Sequence, residues 1–195
     1  MVTEGETERL YFEQLQQALN LKDAPVQVVL EVMRSKEGSA PKNLHNAMTR
    51  WIDEKRKSGT IQSGDAAWVV LDDDSRPTAD FAEVEAWVSD RKDRFAGFSK
   101  PQFEYWILLH FLKATGISTQ RECMETLLRE VPSYRKTDKN FFEKLDRNKI
   151  EAVKNHAEEL HKKLTEQSSV SEMKEFPTAV TNLHILVEQI LGRLR

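Results

Sequence analysis

Acidic residues stand close together at two places in the first half of the chain. Asp72, Asp73 and Asp74 directly follow an apolar segment, and Glu4 and Glu8 lie four residues apart near the start. Carboxylate oxygens are the ligands that Mg²⁺ and Mn²⁺ prefer, and one or two carboxylates hold such an ion together with water and a substrate phosphate. The residue types therefore suit a divalent-metal site, provided that the fold brings the two groups together.

The aspartate triplet has two interpretations. In an extended chain alternate side chains point to the same side, so Asp72 and Asp74 can converge on one ligand while Asp73 points away. Aspartate and serine are also common in turns and at helix starts, so a polar turn explains the same residues. The triplet alone leaves both interpretations open.

The two glutamates are ambiguous in the same way. On a helix, the spacing of four puts Glu4 and Glu8 on one side, where like charges repel unless a cation lies between them. Gly5 permits a tight turn between a strand end and a first helical turn. Glutamates are also favourable at a helix N-terminus, and Glu6 stands three residues after Thr3, as in a capping box. A helix start is therefore the simpler explanation of this segment taken alone.

The elements that must position these residues alternate in type over the first hundred residues. Apolar residues at helical spacing predict helices, and short runs rich in β-branched or apolar residues predict strands. The predicted order is a helix at 7–19, a strand at 26–33, a helix at 41–59, a strand at 66–71, a helix at 81–94 and a short strand at 95–98. Alternating strands and helices imply a mostly parallel sheet, whose functional residues lie at the carboxyl ends of its strands.

The second half of the chain is predicted to be mainly helical. Ser99 and Gln102 have the spacing of a capping box, and the nearly uninterrupted apolar run 105–112 indicates a segment buried between the sheet and other helices. From 119 onward the pattern is helical, and it ends in a helix over 178–194. We therefore expect an α/β fold with a small, mostly parallel sheet flanked by helices and a helical C-terminal half.

Length and composition restrict the class of protein. A chain of 195 residues favours a single domain, with strand–helix units over 1–100 and mainly helices over 101–195. The net charge of −3 gives no general attraction to nucleic acid, and the single cysteine excludes a disulfide framework and a multi-cysteine zinc site. No apolar run resembles a signal peptide or a membrane span, so a soluble cytoplasmic protein is expected.

Several other residues have a structural explanation that we prefer. His110 lies within an apolar run and is expected to be a core histidine, while Cys123 is expected to be a small packing residue. The four tryptophans occupy periodic apolar positions, which favours core packing over base stacking. The basic runs 55–57 and 91–92 are typical of solvated helix ends, with a phosphate-facing patch as the alternative.

Five segments of the sequence together resemble the RloB family of restriction-linked, OLD-like Toprim proteins. They are EGETERLYF from Glu4, DDD from Asp72, SKPQFEYWILLHF from Ser99, YRK at 134–136 and PTAVTNLHILV from Pro177. They occur in the order of the family and cover the chain from residue 4 to about residue 191, and the long block from Ser99 is the most specific. Only three residues precede Glu4, where the family has a fuller first strand.

The resemblance implies a Toprim fold and a role for each matching residue. Glu4 would be the Toprim glutamate, a metal ligand or general acid/base, and Glu8 the additional acid of OLD-like nucleases. Asp72 and Asp74 would be ligands of the first metal. Glu104 would be a ligand of a second metal.

Three further residues match the pattern of the family in or near the same segments. Lys136 would neutralise charge on the scissile phosphate, and Ser99 resembles the later serine of the family. Lys100 stands where an asparagine is expected, and it would bind phosphate or pair with an acid.

The resemblance further implies a metal-dependent nuclease that cuts DNA or RNA with Mg²⁺ or Mn²⁺, with two ions expected. Its setting would be a prokaryotic antiphage or restriction-linked system with an ATPase partner encoded nearby. The alternative is a regulatory or scaffold module whose acidic site is structural, or binds a nucleotide or nucleic acid without cleaving it. Convergence of the predicted side chains around one cavity would favour the nuclease, and dispersed side chains would favour the scaffold.

Overall fold

The computed structural model of the protein describes residues 1–19, 32–34, 38, 40–143, 145–165 and 168–193. Most of the strand predicted at 26–33 lies outside these residues. The strands are β1 (Val2–Thr3), β2 (Met33–Arg34), β3 (Ala67–Asp72), β4 (Arg94–Lys100) and β5 (Val180–Thr181). The helices are α1 (Glu6–Ala18), α2 (Pro41–Lys57), α3 (Ala82–Ser89), α4 (Glu104–Leu108), α5 (Gln120–Glu130), α6 (Lys139–Phe142), α7 (Arg147–Leu160), α8 (Val170–Lys174) and α9 (Leu183–Gly192), with a 3₁₀ turn at Thr78–Phe81.

The strands form one sheet in the order β2-β1-β3-β4-β5. Three of the pairings, β1 with β2, β1 with β3 and β3 with β4, are parallel, and β5 pairs with β4 in the antiparallel direction. The sheet is therefore small and mostly parallel, as predicted. The chain moves to opposite sides of β1 to form β2 and β3, and such a reversal opens a crevice at the carboxyl ends of the strands.

Helices cover both faces of the sheet. Along β3, Trp68 and Val70 belong to one apolar cluster, while Val69 and Leu71 belong to the other. Because successive side chains of a strand point to opposite faces, the uninterrupted apolar run of β3 is what a strand between two helical layers requires. One layer contains α2, α3 and α8, and the other contains α1, α4, α5, α7 and α9.

The first helix begins later than its capping pattern predicted. Thr3 lies in β1, and the N-cap of α1 is Gly5, which provides no side-chain hydrogen bond to the helix. Glu6 forms an ion pair with Arg9 instead. The predicted capping box of Thr3 and Glu6 is therefore wrong, because Thr3 still pairs in β1 and the helix starts only after Gly5, which makes Glu6 its first residue and not its third.

The segment around Ser99 also differs from its prediction. Ser99 pairs with Asp72 inside β4, so it is not a helix cap, and α4 begins at Glu104 after Phe103. The apolar run is buried as expected from residue 105 to residue 109, but Phe111 is 43 % exposed. Extension of β4 by parallel pairing to β3 overrides the local capping signal.

Two further helix boundaries are corrected. The third helix ends at Ser89, and Arg94, predicted to be helical, begins β4. The last helix begins at Leu183, because Val180 and Thr181 form β5 against the edge of β4. In β4, a Cβ at Gly97 would lie 2.7 Å from the Leu183 side chain, so this glycine lets α9 approach the sheet closely.

Candidate functional site

Glu4 follows β1 and lies at the carboxyl end of the parallel sheet. Its N–H donates to the Val70 carbonyl at 3.1 Å, which holds it beside β3. The residue is 6 % exposed, and Arg76 contacts both carboxylate oxygens: Nη1 donates to Oε2 at 3.1 Å and Nη2 donates to Oε1. The Asp72 N–H also donates to Oε2, at 3.2 Å. The carboxylate of Glu4 is therefore fixed between β1 and β3.

Glu8 lies in the first turn of α1 and its side chain folds back over Gly5. A Cβ at Gly5 would collide with Oε2 of Glu8, so the space left by a glycine accommodates this carboxylate. The Gly5 backbone has φ −117°, a value open to any residue, so glycine is favoured here by space alone. Glu8 is buried, and α1 thus carries a second carboxylate into the interior beside Glu4.

Asp72 ends β3, and the charges of three other acids, Glu4, Glu8 and Glu104, act on its carboxylate. Its Oδ2 accepts a hydrogen bond from the Phe103 N–H at 2.9 Å. Its Oδ1 is buried and has no hydrogen-bond partner among the residues that the structure describes. A buried carboxylate oxygen without a donor is unfavourable, so this atom is poised to accept a proton, a donor or a cation.

Glu104 is the first residue of α4 and is another buried carboxylate of this region. It is 2 % exposed, and its Oε1 accepts hydrogen bonds from the Tyr134 hydroxyl at 3.3 Å and the Lys136 ammonium at 2.9 Å. The segment between α5 and α6 carries both donors. Lys136 therefore neutralises Glu104 from outside, since its own side chain is 57 % exposed.

The carboxylates repel one another as well as being buried. Burial raises the pKa of Glu8 to about 7, and the charges of Glu4 and Glu104 add to the increase. Burial also raises the pKa of Asp72 well above its ordinary value, reinforced by Glu8, Glu4 and Glu104. The pKa of Glu4 is raised by burial although Arg76 acts against the increase. The four carboxylates therefore form one electrostatic group, which we call the carboxylate cluster: Glu4, Glu8, Asp72 and Glu104.

Asp74 is placed differently from the cluster. It has φ 42°, its side chain is 44 % exposed, and it lies 3.6 Å from Arg76. Its Oδ1 accepts a hydrogen bond from Gln120, the first residue of α5, at 2.9 Å. The turn conformation carries Asp74 toward the surface, so its role as a metal ligand stays a prediction.

Ser99 and Lys100 both form their side-chain contacts with residues outside the cluster, although Ser99 is the strand partner of Asp72. The Ser99 hydroxyl lies 3.1 Å from that of Thr181, and the Lys100 ammonium donates to the carbonyls of Lys174 and Phe176. Ser99 thus links β4 to β5, and Lys100 links β4 to the C-terminal end of α8. The structure therefore gathers Glu4, Glu8, Asp72, Glu104 and Lys136. The secondary roles of Ser99 and Lys100 stay predictions, since both side chains bond to other groups here.

Sequence reasoning missed Arg76, which makes the principal ion pair of Glu4. The residue stands in DDDSR, two positions after Asp74, but nothing in the local spacing links it to a glutamate 72 positions earlier. It also missed Lys174, which pairs with Asp73 and donates to the Arg76 carbonyl at 2.8 Å. This lysine holds the loop after β3 and accounts for the remaining aspartate of the triplet.

The cluster fits a hard divalent cation by its chemistry. All four side chains offer oxygen, and Asp72 Oδ1 is a buried acceptor without a donor. Among the described residues, no three His, Cys, Asp or Glu side chains are already grouped as metal ligands. Arg76 and Lys136 occupy oxygens of Glu4 and Glu104 instead. The ligand types are therefore present, while two of the four carboxylates are engaged by cationic side chains.

The structural explanations preferred for His110, Cys123 and three of the four tryptophans are confirmed. His110 lies 3.1 Å from the Tyr11 hydroxyl, and burial lowers its pKa to about 3. Cys123 is a buried free thiol. Trp68, Trp87 and Trp106 are buried, while Trp51, which is partly buried, has the Lys55 ammonium 5.4 Å from its ring.

Comparison with known proteins gives one match. The family model described as RloB-like protein matches residues 1–190 of the 195. No curated protein and no solved structure matches the chain. No helix within the described residues is both long enough and apolar enough to cross a membrane.

Proposed function

The chain belongs to the RloB-like family, and from that premise we propose that it is a metal-dependent nuclease of the Toprim type. It cleaves DNA or RNA phosphodiesters with Mg²⁺ or Mn²⁺, and two ions are expected. Its setting is the cytoplasm of a prokaryote, in an antiphage or restriction-linked defence system with an ATPase partner.

One observation carries the proposal. Four buried carboxylates meet at the carboxyl ends of parallel strands, and the central one, Asp72, has an oxygen without a hydrogen-bond donor. Several carboxylates without a full set of counter-charges are costly to bury, and such arrangements concentrate at functional sites. A divalent cation would relieve both the repulsion and the unsatisfied oxygen.

The side chains divide the work of phosphodiester cleavage. Glu4, Glu8, Asp72 and Glu104 would hold the cations, and Asp74 stays a predicted fifth ligand. Held there, two cations would supply positive charge for the attacking and leaving oxygens of the phosphate.

The remaining roles are to transfer protons and to neutralise the charge of the phosphate. The carboxyl of Glu8 can hold a proton near neutral pH, because burial and neighbouring acids raise its pKa to about 7. Lys136 reaches from the surface to the cluster and can neutralise phosphate charge. Glu4 stays the predicted general acid/base.

The proposal is tested by incubating labelled DNA and RNA with the protein in Mn²⁺, beside the variants D72N and D93N. Asp93 is a control because it pairs with Arg91 at the other end of the strands. We expect the wild type and D93N to cleave one of the substrates and D72N to lose at least about a hundredfold in rate. Equal cleavage by D72N would contradict the proposal.

A second candidate is a non-catalytic regulatory or scaffold partner of a defence ATPase, in which the acidic site is structural or binds a nucleotide or nucleic acid. The observation in its favour is that Arg76 and Lys136 already neutralise two of the carboxylates. It predicts that the wild type does not cleave in Mn²⁺, even with the ATPase added. It also predicts that D72N folds and associates with the partner as the wild type does.

A further inference from the structure

Arg76 is bound to an acid that the proposed function needs for another purpose. We infer that Arg76 exchanges partners: it neutralises Glu4 in the metal-free protein, and it binds a substrate phosphate when a divalent cation occupies Glu4. The inference rests on the proposed function, and it adds a substrate-binding residue that the sequence did not indicate.

The contact between the two side chains is bidentate. Nη1 and Nη2 of Arg76 each donate to a different oxygen of Glu4, and the Asp72 N–H takes a further position on Oε2. The side chain of Glu4 is 7 % exposed, so water supplies little of its solvation. A cation that binds Glu4 on this side must therefore take the place of the guanidinium.

The guanidinium has a short route to solvent. The Arg76 side chain is 18 % exposed, and its other ion pair is with Asp74, which lies at the surface. The backbone of Arg76 is anchored at both polar groups, since its N–H donates to the Asp73 carbonyl and its carbonyl accepts from Lys174, each at 2.8 Å. Only the side chain needs to move.

A phosphate is the natural second partner of this side chain. The planar fork of a guanidinium matches two oxygens of a phosphate as well as two oxygens of a carboxylate. Once it leaves Glu4, the guanidinium has the half-exposed Asp74 as its remaining acidic contact. The site would then present Arg76, beside Glu4, and Lys136, beside Glu104, to the backbone of a nucleic acid.

The first arm of the test measures Mn²⁺ affinity by electron paramagnetic resonance in the wild type, R76Q, R76K and R9Q. R9Q is the matched control, because Arg9 pairs with Glu6 and Glu13 outside the cluster. R76Q should bind Mn²⁺ at least about tenfold more tightly than the wild type, since the cation no longer displaces a charged hydrogen-bond donor. R76K, with a single point contact, should lie between the two, and R9Q should equal the wild type.

The second arm measures binding of labelled DNA and RNA oligonucleotides, with Ca²⁺ as a cation that occupies oxygen sites. In the wild type Ca²⁺ should increase the affinity for the oligonucleotide, because it frees Arg76. R76Q should lose that increase and R76K should keep part of it. Circular dichroism of each variant checks its fold, and R76K retains the charge if R76Q does not fold.

The outcomes separate the inference from the proposed function. Absence of Mn²⁺ binding in the wild type, or binding that E4Q leaves unchanged, would overturn the metal site and the inference with it. Mn²⁺ binding that requires Glu4 but is equal or weaker in the Arg76 variants would overturn the exchange and leave the metal site standing. An increase in oligonucleotide affinity that R76Q retains would overturn the phosphate contact.

Discussion

The carboxylates at the strand ends and the histidines of the helical half are buried to a similar degree, but burial has opposite effects on their charge. Glu8 and Asp72 are 5 % and 8 % exposed, and burial raises the pKa of each. His161, after α7, and His184, in α9, are 6 % and 7 % exposed, and burial lowers the pKa of each to about 4.

The two kinds of side chain lose their charge in different ways near pH 7. A buried histidine becomes neutral by giving up a proton, so His161 and His184 need no counter-charge and pack as core residues. The carboxylate cluster must take up protons or cations, and Arg76 and Lys136 supply only part of the positive charge. Unless it takes up protons or cations, the cluster therefore carries negative charge that is unfavourable to bury.

The largest expected effect is a loss of folding stability at acid pH, caused by the buried histidines His161 and His184. Since their pKa values fall from 6.5 to about 4 on folding, the stability they contribute is present above pH 6.5 and is lost as the pH falls toward 4. Each histidine accounts for about 3 kcal/mol of that loss. H184L should be less sensitive to acid than the wild type in urea unfolding between pH 4 and 7. If H184L has the same pH dependence as the wild type, His184 does not contribute to the loss of stability in acid.

Glu8 should show the opposite slope. Its pKa rises from 4.5 to about 7 on folding, so its stability contribution is present below pH 4.5 and is lost as the pH rises to 7, by about 3 kcal/mol. E8Q should remove this loss in metal-free protein, as measured by urea unfolding. E13Q, on the same helix and paired with Arg9, should retain it. Parallel pH curves for E8Q and the wild type would contradict the contrast between the two regions.

A divalent cation should stabilise the protein through the carboxylate cluster and not through the histidines of the helical half. At 100 times its dissociation constant, Mn²⁺ should stabilise the wild type by about 2.7 kcal/mol, visible as a rise in Tm. D72N should lose most of the rise, and H184L should keep it. The variant D74N tests whether Asp74 is a metal ligand, as the sequence predicts, despite its surface position. If D74N keeps the full Mn²⁺-dependent rise in Tm, Asp74 is not a ligand; if D74N loses the rise, Asp74 is a ligand.

The smallest effect is expected at Gly5. In G5A the new Cβ would push the Glu8 carboxylate aside, while φ −117° suits alanine, so stability should change by less than about 1 kcal/mol. Mn²⁺ affinity should fall about tenfold or less, because one ligand is misplaced. G192A is the control, since a Cβ there meets no atom within 4 Å. Unchanged Mn²⁺ affinity in G5A would remove Glu8 from the site.

The sequence predicts the longer elements of the fold because their patterns are local. The helix α2 and the strand β3 follow from helical spacing and from an uninterrupted apolar run. The strands β1 and β5 have two residues each, too few for a periodic pattern, and their pairing with neighbouring strands determines them. The same pairing explains why Ser99 belongs to a strand although its local pattern is that of a helix cap.

The site residues that directly follow a predicted strand can be identified from the sequence. Asp72 is identified by the apolar run before it and Glu4 by its spacing from Glu8, whereas Glu104 gains its significance from the family resemblance. The ion pair of Glu4 with Arg76 joins residues far apart in the chain, so no local spacing announces it. The outward position of Asp74 depends on a left-handed backbone conformation, which the alternation rule for extended chains does not anticipate.

The most direct test of the metal site is a crystal structure of the protein soaked in Mn²⁺, with anomalous scattering used to locate and count the ions. We expect anomalous peaks among the carboxylates of Glu4, Glu8, Asp72 and Glu104, with Arg76 turned away from Glu4. An empty cluster at saturating Mn²⁺, with Arg76 still paired to Glu4, would contradict this expectation.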